Sequence, residues 1–171
     1  MVILNTLTAE SKFEFKRLGS TFRAILFPAS EITAFEGRLK SLRKAFYDGS
    51  HHCSAYRFLS NPVKEFSSDD GEPSGTAGLP ILNELRSAEV VNVACIVIRY
   101  FGGTKLGRSG LIAAYGDACR SALETANLRT VQKVQRFRVR IPYEQQHAFS
   151  LLLKQANGLI ESSLYGAEVQ H

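Results

Sequence analysis

No apolar run in this sequence is longer than Val93 to Ile98, far short of the roughly 20 residues that cross a bilayer as a helix. The N-terminus also lacks a basic segment followed by an apolar stretch, so neither a membrane span nor a secretory leader is expected, and the expected address is cytoplasmic. Cysteine is sparse. Cys53, Cys95 and Cys119 are odd in number, widely spaced and without a CxxC pair, which points to reduced thiols rather than a disulfide framework, with Cys95 and Cys119 as small core residues. Histidine is scarce too, and His51, His52, His147 and His171 offer no nucleophile, base and orienting acid in one arrangement, so a catalytic triad has no support. There is no internal repeat, low-complexity linker or polybasic tail.

What is present is ordinary globular material: 171 residues, 44% hydrophobic and 22% charged, enough for one core of normal size and a small second one. A net charge of +5 and a pI near 9.2 suit an anionic partner. The basic residues cluster as Arg38, Lys40, Arg43 and Lys44, as Arg99, Lys105 and Arg108, and as Lys133, Arg136, Arg138 and Arg140.

Alternation around Gly19-Ser20 predicts a hairpin of Lys12 to Leu18 and Thr21 to Phe27, ended by Pro28. Ile32, Phe35, Leu39, Leu42 and Phe46 recur at helical spacing and predict a helix over 31–46 capped by Ser30, with a basic outer face. His52 to Leu59 reads as a strand, with Phe66 in a short partner. Pro80 fits the first turn of a helix over 79–88. Val90 to Tyr100 is the clearest strand, apolar enough to be central and covered on both faces. A helix follows from Gly107 or Ser109 to Ala126, with its packed stripe at Leu111, Ala114, Tyr115, Ala118, Ala122 and Leu123. Residues 130–133 form a boundary, giving domains 1–130 and 131–171. Beyond it, 134–141, 143–157 and 159–165 predict a βαβ segment.

Two loops carry the chemistry. "RYFGGTKLGRSGLIAAYG" follows the central strand and opens a helix, and a glycine loop at a helix N-terminus presents backbone N–H groups and partial positive charge to a phosphate. Arg99, Gly102, Gly103, Lys105, Gly107 and Arg108 are its candidate anion ligands. "GGTKLGRS" misses the nucleotide-binding P-loop pattern by one residue, Arg108 standing where lysine is required, and no apolar strand ending in aspartate supplies a magnesium site; a nucleoside triphosphatase is not expected. The glycines alone would also serve left-handed turns and close packing. The second loop, "SSDDGEPSGTAG", sets Asp69, Asp70 and Glu72 before Ser74, Gly75 and Thr76. The carboxylates are candidate magnesium ligands by type, but their spacing fits no calcium loop, so the stretch is read as a turn whose solvated carboxylates cap the next helix. Ser74 to Gly78 would then offer exposed amides and two hydroxyls facing the first loop. His51, His52 and Tyr100 are a possible pocket, although neighbours on a strand face opposite ways. Arg136, Arg138 and Arg140 share one strand face, as a secondary nucleic-acid stripe or as a merely solvated one.

With these blocks in order, "GSHHCSAYRF", "SSDDGEPSGTAGLPIL" and "VVNVACIVIRYFGGTKLGRSGLIAAYGDA", the chain resembles the Impact family, including its bacterial YigZ-type members, over about residues 15–130. It departs from the pattern at Ser54, Arg108-Ser109 and Ala113. The resemblance implies an α+β protein whose first domain has the fold of ribosomal protein S5 domain 2, a mixed sheet covered on one side by helices. It implies a second domain that is ferredoxin-like, similar to the last domain of elongation factor G and broken off after its first half. It also implies a link to translational control, with RNA or a ribosome-associated protein as partner and no catalytic residues to carry over. The expected function is therefore non-enzymatic binding through a glycine-rich anion cleft. The competing expectation is an enzyme or sensor for a phosphorylated small molecule or nucleotide, with magnesium on Asp69, Asp70 or Glu72.

Overall fold

The computed structural model describes residues 4–131, 137–165 and 168–170, which fall into two compact units, 1–132 and 133–171. In the first, β2 (Ser11–Arg17) and β3 (Ser20–Pro28) form the expected hairpin. Its turn is Leu18-Gly19 rather than Gly19-Ser20: both residues have positive φ, 45° and 79°, the geometry that matches the twist of the flanking strands. β4 (His51–Phe58), β5 (Lys64–Ser68) and β6 (Val93–Tyr100) complete a five-stranded sheet in the order β2-β3-β6-β4-β5. Every pairing in it is antiparallel. β6 is central and almost wholly buried, as its unbroken apolar sequence requires.

Helices cover this sheet on both faces, which corrects the expectation of a mixed sheet with helices on one side. Alternate residues of each strand point to opposite faces. Phe22, Ala24 and Leu26 of β3, Cys53 and Ala55 of β4, and Cys95 and Val97 of β6 pack in one cluster with α2 (Gly78–Ser87) and α3 (Gly107–Glu124). Ile25, Phe27, Tyr56, Phe58, Ile96 and Ile98 pack in the other with Phe35 and Leu42 of α1 (Ile32–Ala45). The N-cap of α1 is Glu31 without a side-chain cap bond, not Ser30. Two short strands outside the sheet were not predicted: β1 (Leu4–Leu7) pairs with β7 (Leu128–Val131) in register Leu4 to Val131. Four-residue strands separated by most of the unit carry no local periodic signal.

The second unit holds β8 (Arg140–Pro142), a 3-10 turn at Tyr143–Gln145, α4 (Gln146–Gln155), β9 (Leu164–Tyr165) and β10 (Glu168–Gln170). The expected strand over 134–141 falls partly outside the described residues, and the strand expected from 159 is confined to β9. β10 lies between β8 and β9, antiparallel to both, so the segment is not a simple βαβ. Among its described residues Ile141 is the one buried apolar side chain, and α4 has none.

The β6–α3 loop leaves the sheet across the β2–β3 turn, and glycine is required there. A Cβ on Gly102 would lie 1.9 Å from the Gly19 carbonyl carbon, whereas Gly103, with φ 86°, has open space around it. Gly102→Ala should therefore cost about 3 kcal/mol or prevent folding, and Gly103→Ala about 1 kcal/mol through its left-handed backbone alone. Urea denaturation of the two variants tests this order.

Candidate anion-binding site

The acidic stretch is not a solvated turn. Asp70 and Gly71 take positive φ, 42° and 88°, and swing the chain so that its three carboxylates point to three different places. Asp69 accepts the backbone N–H groups of Gly75 (2.8 Å), Ala77 (3.0 Å) and Gly78 (2.8 Å), which fills the N-terminus of α2. Burial raises its pKa, but these N–H bonds, with help from Arg108, outweigh it and hold the carboxyl below its ordinary value. The expected capping role is present; the expected free amides of Ser74 to Gly78 are not, because Asp69 takes three of them. Thr76 is buried, and its hydroxyl donates to the Pro73 carbonyl at 2.6 Å. Asp70 accepts from Arg43 at 2.6 Å and from the His52 backbone N–H at 2.7 Å.

Glu72 goes inward. Its carboxylate Oε1 accepts from Arg99 Nη1 and from the Tyr115 hydroxyl, both at 2.7 Å, and the Glu72 and Arg99 side chains are only 4% and 6% exposed. Arg99 Nη2 donates to Ser20 Oγ at 3.3 Å, and its guanidinium lies between the Phe22 and Phe101 rings at 5.6 and 5.4 Å. The register explains the convergence: Arg99 of β6 lies opposite Phe22 of β3 and His51 of β4. The guanidinium expected to meet phosphate is thus the buried partner of Glu72. Among the described residues no group of three His, Cys, Asp or Glu side chains could hold a metal, and Asp69, Asp70 and Glu72 are each engaged inside the protein.

His51 and His52 do not share a pocket. His51 lies on the α2–α3 side, its Nδ1 2.8 Å from the Asp70 carbonyl and its Nε2 3.9 Å from Glu72. His52 lies on the α1 side with Tyr100, whose hydroxyl donates to Asp48 at 3.3 Å. Cys53 is buried, its Sγ 3.0 Å from the Asp69 carbonyl, and burial pushes its thiol pKa up, so it stays protonated.

The remaining residues of the first loop are open. Gly102 to Lys105, Gly107, Arg108 and Ser109 are exposed, Gly103 and Gly107 have positive φ, and α3 has no side-chain N-cap. Among the described residues no side chain accepts from its first turn. The two loops do meet: Arg108 donates to the Ser74 carbonyl at 2.9 Å. Phe101, a residue the sequence reading passed over, is half exposed at the start of the loop; an aromatic between the strand end and two glycines was the available signal. Of the secondary stripe, Arg138 is exposed outside any strand, Arg140 is in β8, and Arg136 lies outside the described residues, so a three-arginine strand face is not observed.

The first unit is thus a small α+β domain built on an antiparallel five-stranded sheet. The Impact N-terminal domain matches residues 18–123, and the chain belongs to the Impact family. It is 33% identical over 152 residues to the IMPACT family member YigZ of Escherichia coli (strain K12), covering 88% of this chain and 74% of that one. It is 42% identical over 85 residues to the IMPACT family member YvyE of Bacillus subtilis (strain 168), covering 50% of this chain and 39% of that one. A crystal structure of a hypothetical protein superposes with a TM-score of 0.74 at 30% identity, covering 99% of this chain and 84% of that one. No helix among the described residues is long and apolar enough to cross a membrane.

Two expectations follow. Glu72→Gln leaves a buried guanidinium without its counter-charge and should cost about 3–5 kcal/mol in chemical denaturation. His52 has a buried Nε2 without a partner among the described residues, and burial lowers its pKa from 6.5, with Asp70 opposing. The unfolded chain therefore takes up a proton before the folded one, so this stability is present above pH 6.5 and is lost as pH falls below it. Urea midpoints between pH 8 and 5 should decline on the acid side, and less steeply in His52→Gln.

Proposed function

We propose that the protein works by binding, holding the phosphates of RNA against the exposed glycine loop and the first turn of α3, in a translation-associated setting. The observation that carries this reading is the contrast between two helix N-termini. That of α2 is filled by Asp69, whereas that of α3 is open and flanked by exposed Lys105 and Arg108. Free N–H groups, partial positive charge and two cations on one exposed loop suit a phosphodiester backbone, and the net charge of +5 favours the encounter. The translation-associated role is supported by membership of the Impact family, and a ribosome-associated partner is part of the proposal. Kinship of the first unit with ribosomal protein S5 domain 2, and of the second with the last domain of elongation factor G, is part of the same proposal. The magnesium-dependent alternative draws less support, since its three carboxylates already serve α2, Arg43 and Arg99.

The test is the salt dependence of single-stranded RNA binding. Each phosphate contact contributes about 0.7 to the slope of log affinity against log salt, so Lys105→Ala with Arg108→Ala should flatten it by about 1.4 and weaken unrelated sequences alike. Arg99 is left intact because its loss would unfold the site rather than report on it. A folded double variant with wild-type affinity and slope would remove the loop from consideration.

A further inference from the structure

Among the described residues of the first unit three aromatic rings are exposed, Tyr47 just after α1, Phe66 and Phe101. Phe66 on the edge strand β5 belongs to a ring cluster, with Tyr56 at 5.1 Å and Phe35 at 5.9 Å, and is the rim of the α1-side core. Phe101 has no such apolar company. It is 50% exposed, and among the described residues the one contact its ring makes with another ring or a cation is with Arg99, at 5.4 Å.

The backbone that carries the ring is nevertheless anchored. The Phe101 N–H donates to Ser50 Oγ at 3.1 Å, and the next N–H, of Gly102, donates to Ser20 Oγ at 3.2 Å. Gly102 itself lies tight against Gly19. Arg99, the cation under the ring, is held by the buried Glu72 and by Ser20. A flat apolar side chain on an anchored backbone loses less conformational entropy when a ligand covers it than one on a free loop. The positive potential beside the ring comes from exposed Lys105 and Arg108 on the same loop, the Arg99 charge being matched by Glu72. A planar ring with a phosphate attached matches both features, whereas a purely aliphatic partner would leave the cations unused.

We propose that Phe101 is the stacking platform for a nucleobase whose adjoining phosphate is held by Lys105, Arg108 and the first turn of α3. This rests on the anion-binding reading above and adds to it the class of ligand, a nucleotide unit rather than any polyanion. Stacking on an aromatic side chain tolerates every base, so the contact confers no sequence preference.

The chain contains no tryptophan, so Phe101→Trp places a single indole at the platform. The variant is titrated with an oligouridylate, an abasic ribose-phosphate oligomer of the same length, and uridine monophosphate. The oligouridylate should quench the indole emission and the abasic oligomer should not. Phe101→Ala should lose roughly ten- to a hundredfold of oligouridylate affinity while keeping the salt slope and the abasic affinity of the wild type. Phe101→Leu keeps an apolar group over Arg99 without a π face, so it should melt like the wild type and bind like Phe101→Ala. Quenching by the mononucleotide at the same concentrations would identify a free nucleotide as the source of this chemistry; quenching by the oligomer alone would identify a strand. If the oligouridylate binds with the salt slope set by Lys105 and Arg108 but leaves the indole unquenched, and Phe101→Leu binds like the wild type, the platform is overturned and the anion site stands. If no polyanion binds the wild-type protein at low salt, the anion-site reading itself fails, and the platform with it.

Discussion

The buried ion pair of Glu72 and Arg99 constrains more of this fold than any other single contact. It joins the turn before α2 to the end of the central strand, and through Tyr115 it joins both to α3. Removing two charges from water is costly, and their attraction repays the cost only when the geometry is good and the remaining hydrogen-bonding groups are met. Here Tyr115 shares the carboxylate, Ser20 takes one guanidinium nitrogen, and two aromatic rings flank the cation. Among the described residues Arg99 Nε is left buried and unpartnered. Such a pair defines one arrangement of turn, strand and helix more sharply than apolar packing would, because every displaced alternative leaves a bare charge inside.

From that fixed point the two glycine loops acquire different duties. The acidic loop is consumed by structure: Asp69 fills the start of α2, Asp70 ties Arg43 and the His52 backbone, and Glu72 anchors the centre. The basic loop is held only at its beginning, where Phe101 and Gly102 are bonded to Ser50 and Ser20. Past Gly103 it is exposed, with Arg108 reaching across to Ser74. The carboxylates are thus bonded within the protein, as is Arg99, while Lys105 and Arg108 stay exposed. The exposed part of the basic loop therefore carries cations, although the residues around it are mixed in sign.

The second unit follows a different logic. Its helix α4 buries no side chain, while Leu151 and Leu152 on it, and Leu159 beyond it, are exposed. A segment of this size has little core of its own. The family relationship is correspondingly dense in the first unit, where the Impact N-terminal domain matches.

Much of the fold was legible in the sequence because it is encoded locally. The hairpin, the three helices of the first unit and the central strand each announce themselves through periodicity and through Pro28, Pro80 and the glycines, since burial of one face demands a period of two or 3.6. The capping of α2 by the acidic loop was legible too, from carboxylates placed just before a helix. The rest was decided by tertiary structure. β1 and β7 pair across the length of the unit, and α1 and α3 fall on opposite faces of the sheet, choices no local window records. Three adjacent carboxylates look alike in sequence; only left-handed turns at Asp70 and Gly71 send Glu72 into the core and leave Asp69 at the helix. In the same way Arg99, Lys105 and Arg108 read as one basic cluster, but Arg99 belongs to the interior. The sequence determined which residues carry charge and where the chain turns, whereas solvent exclusion in the packed structure decided which of those charges are spent on the fold and which remain exposed to water.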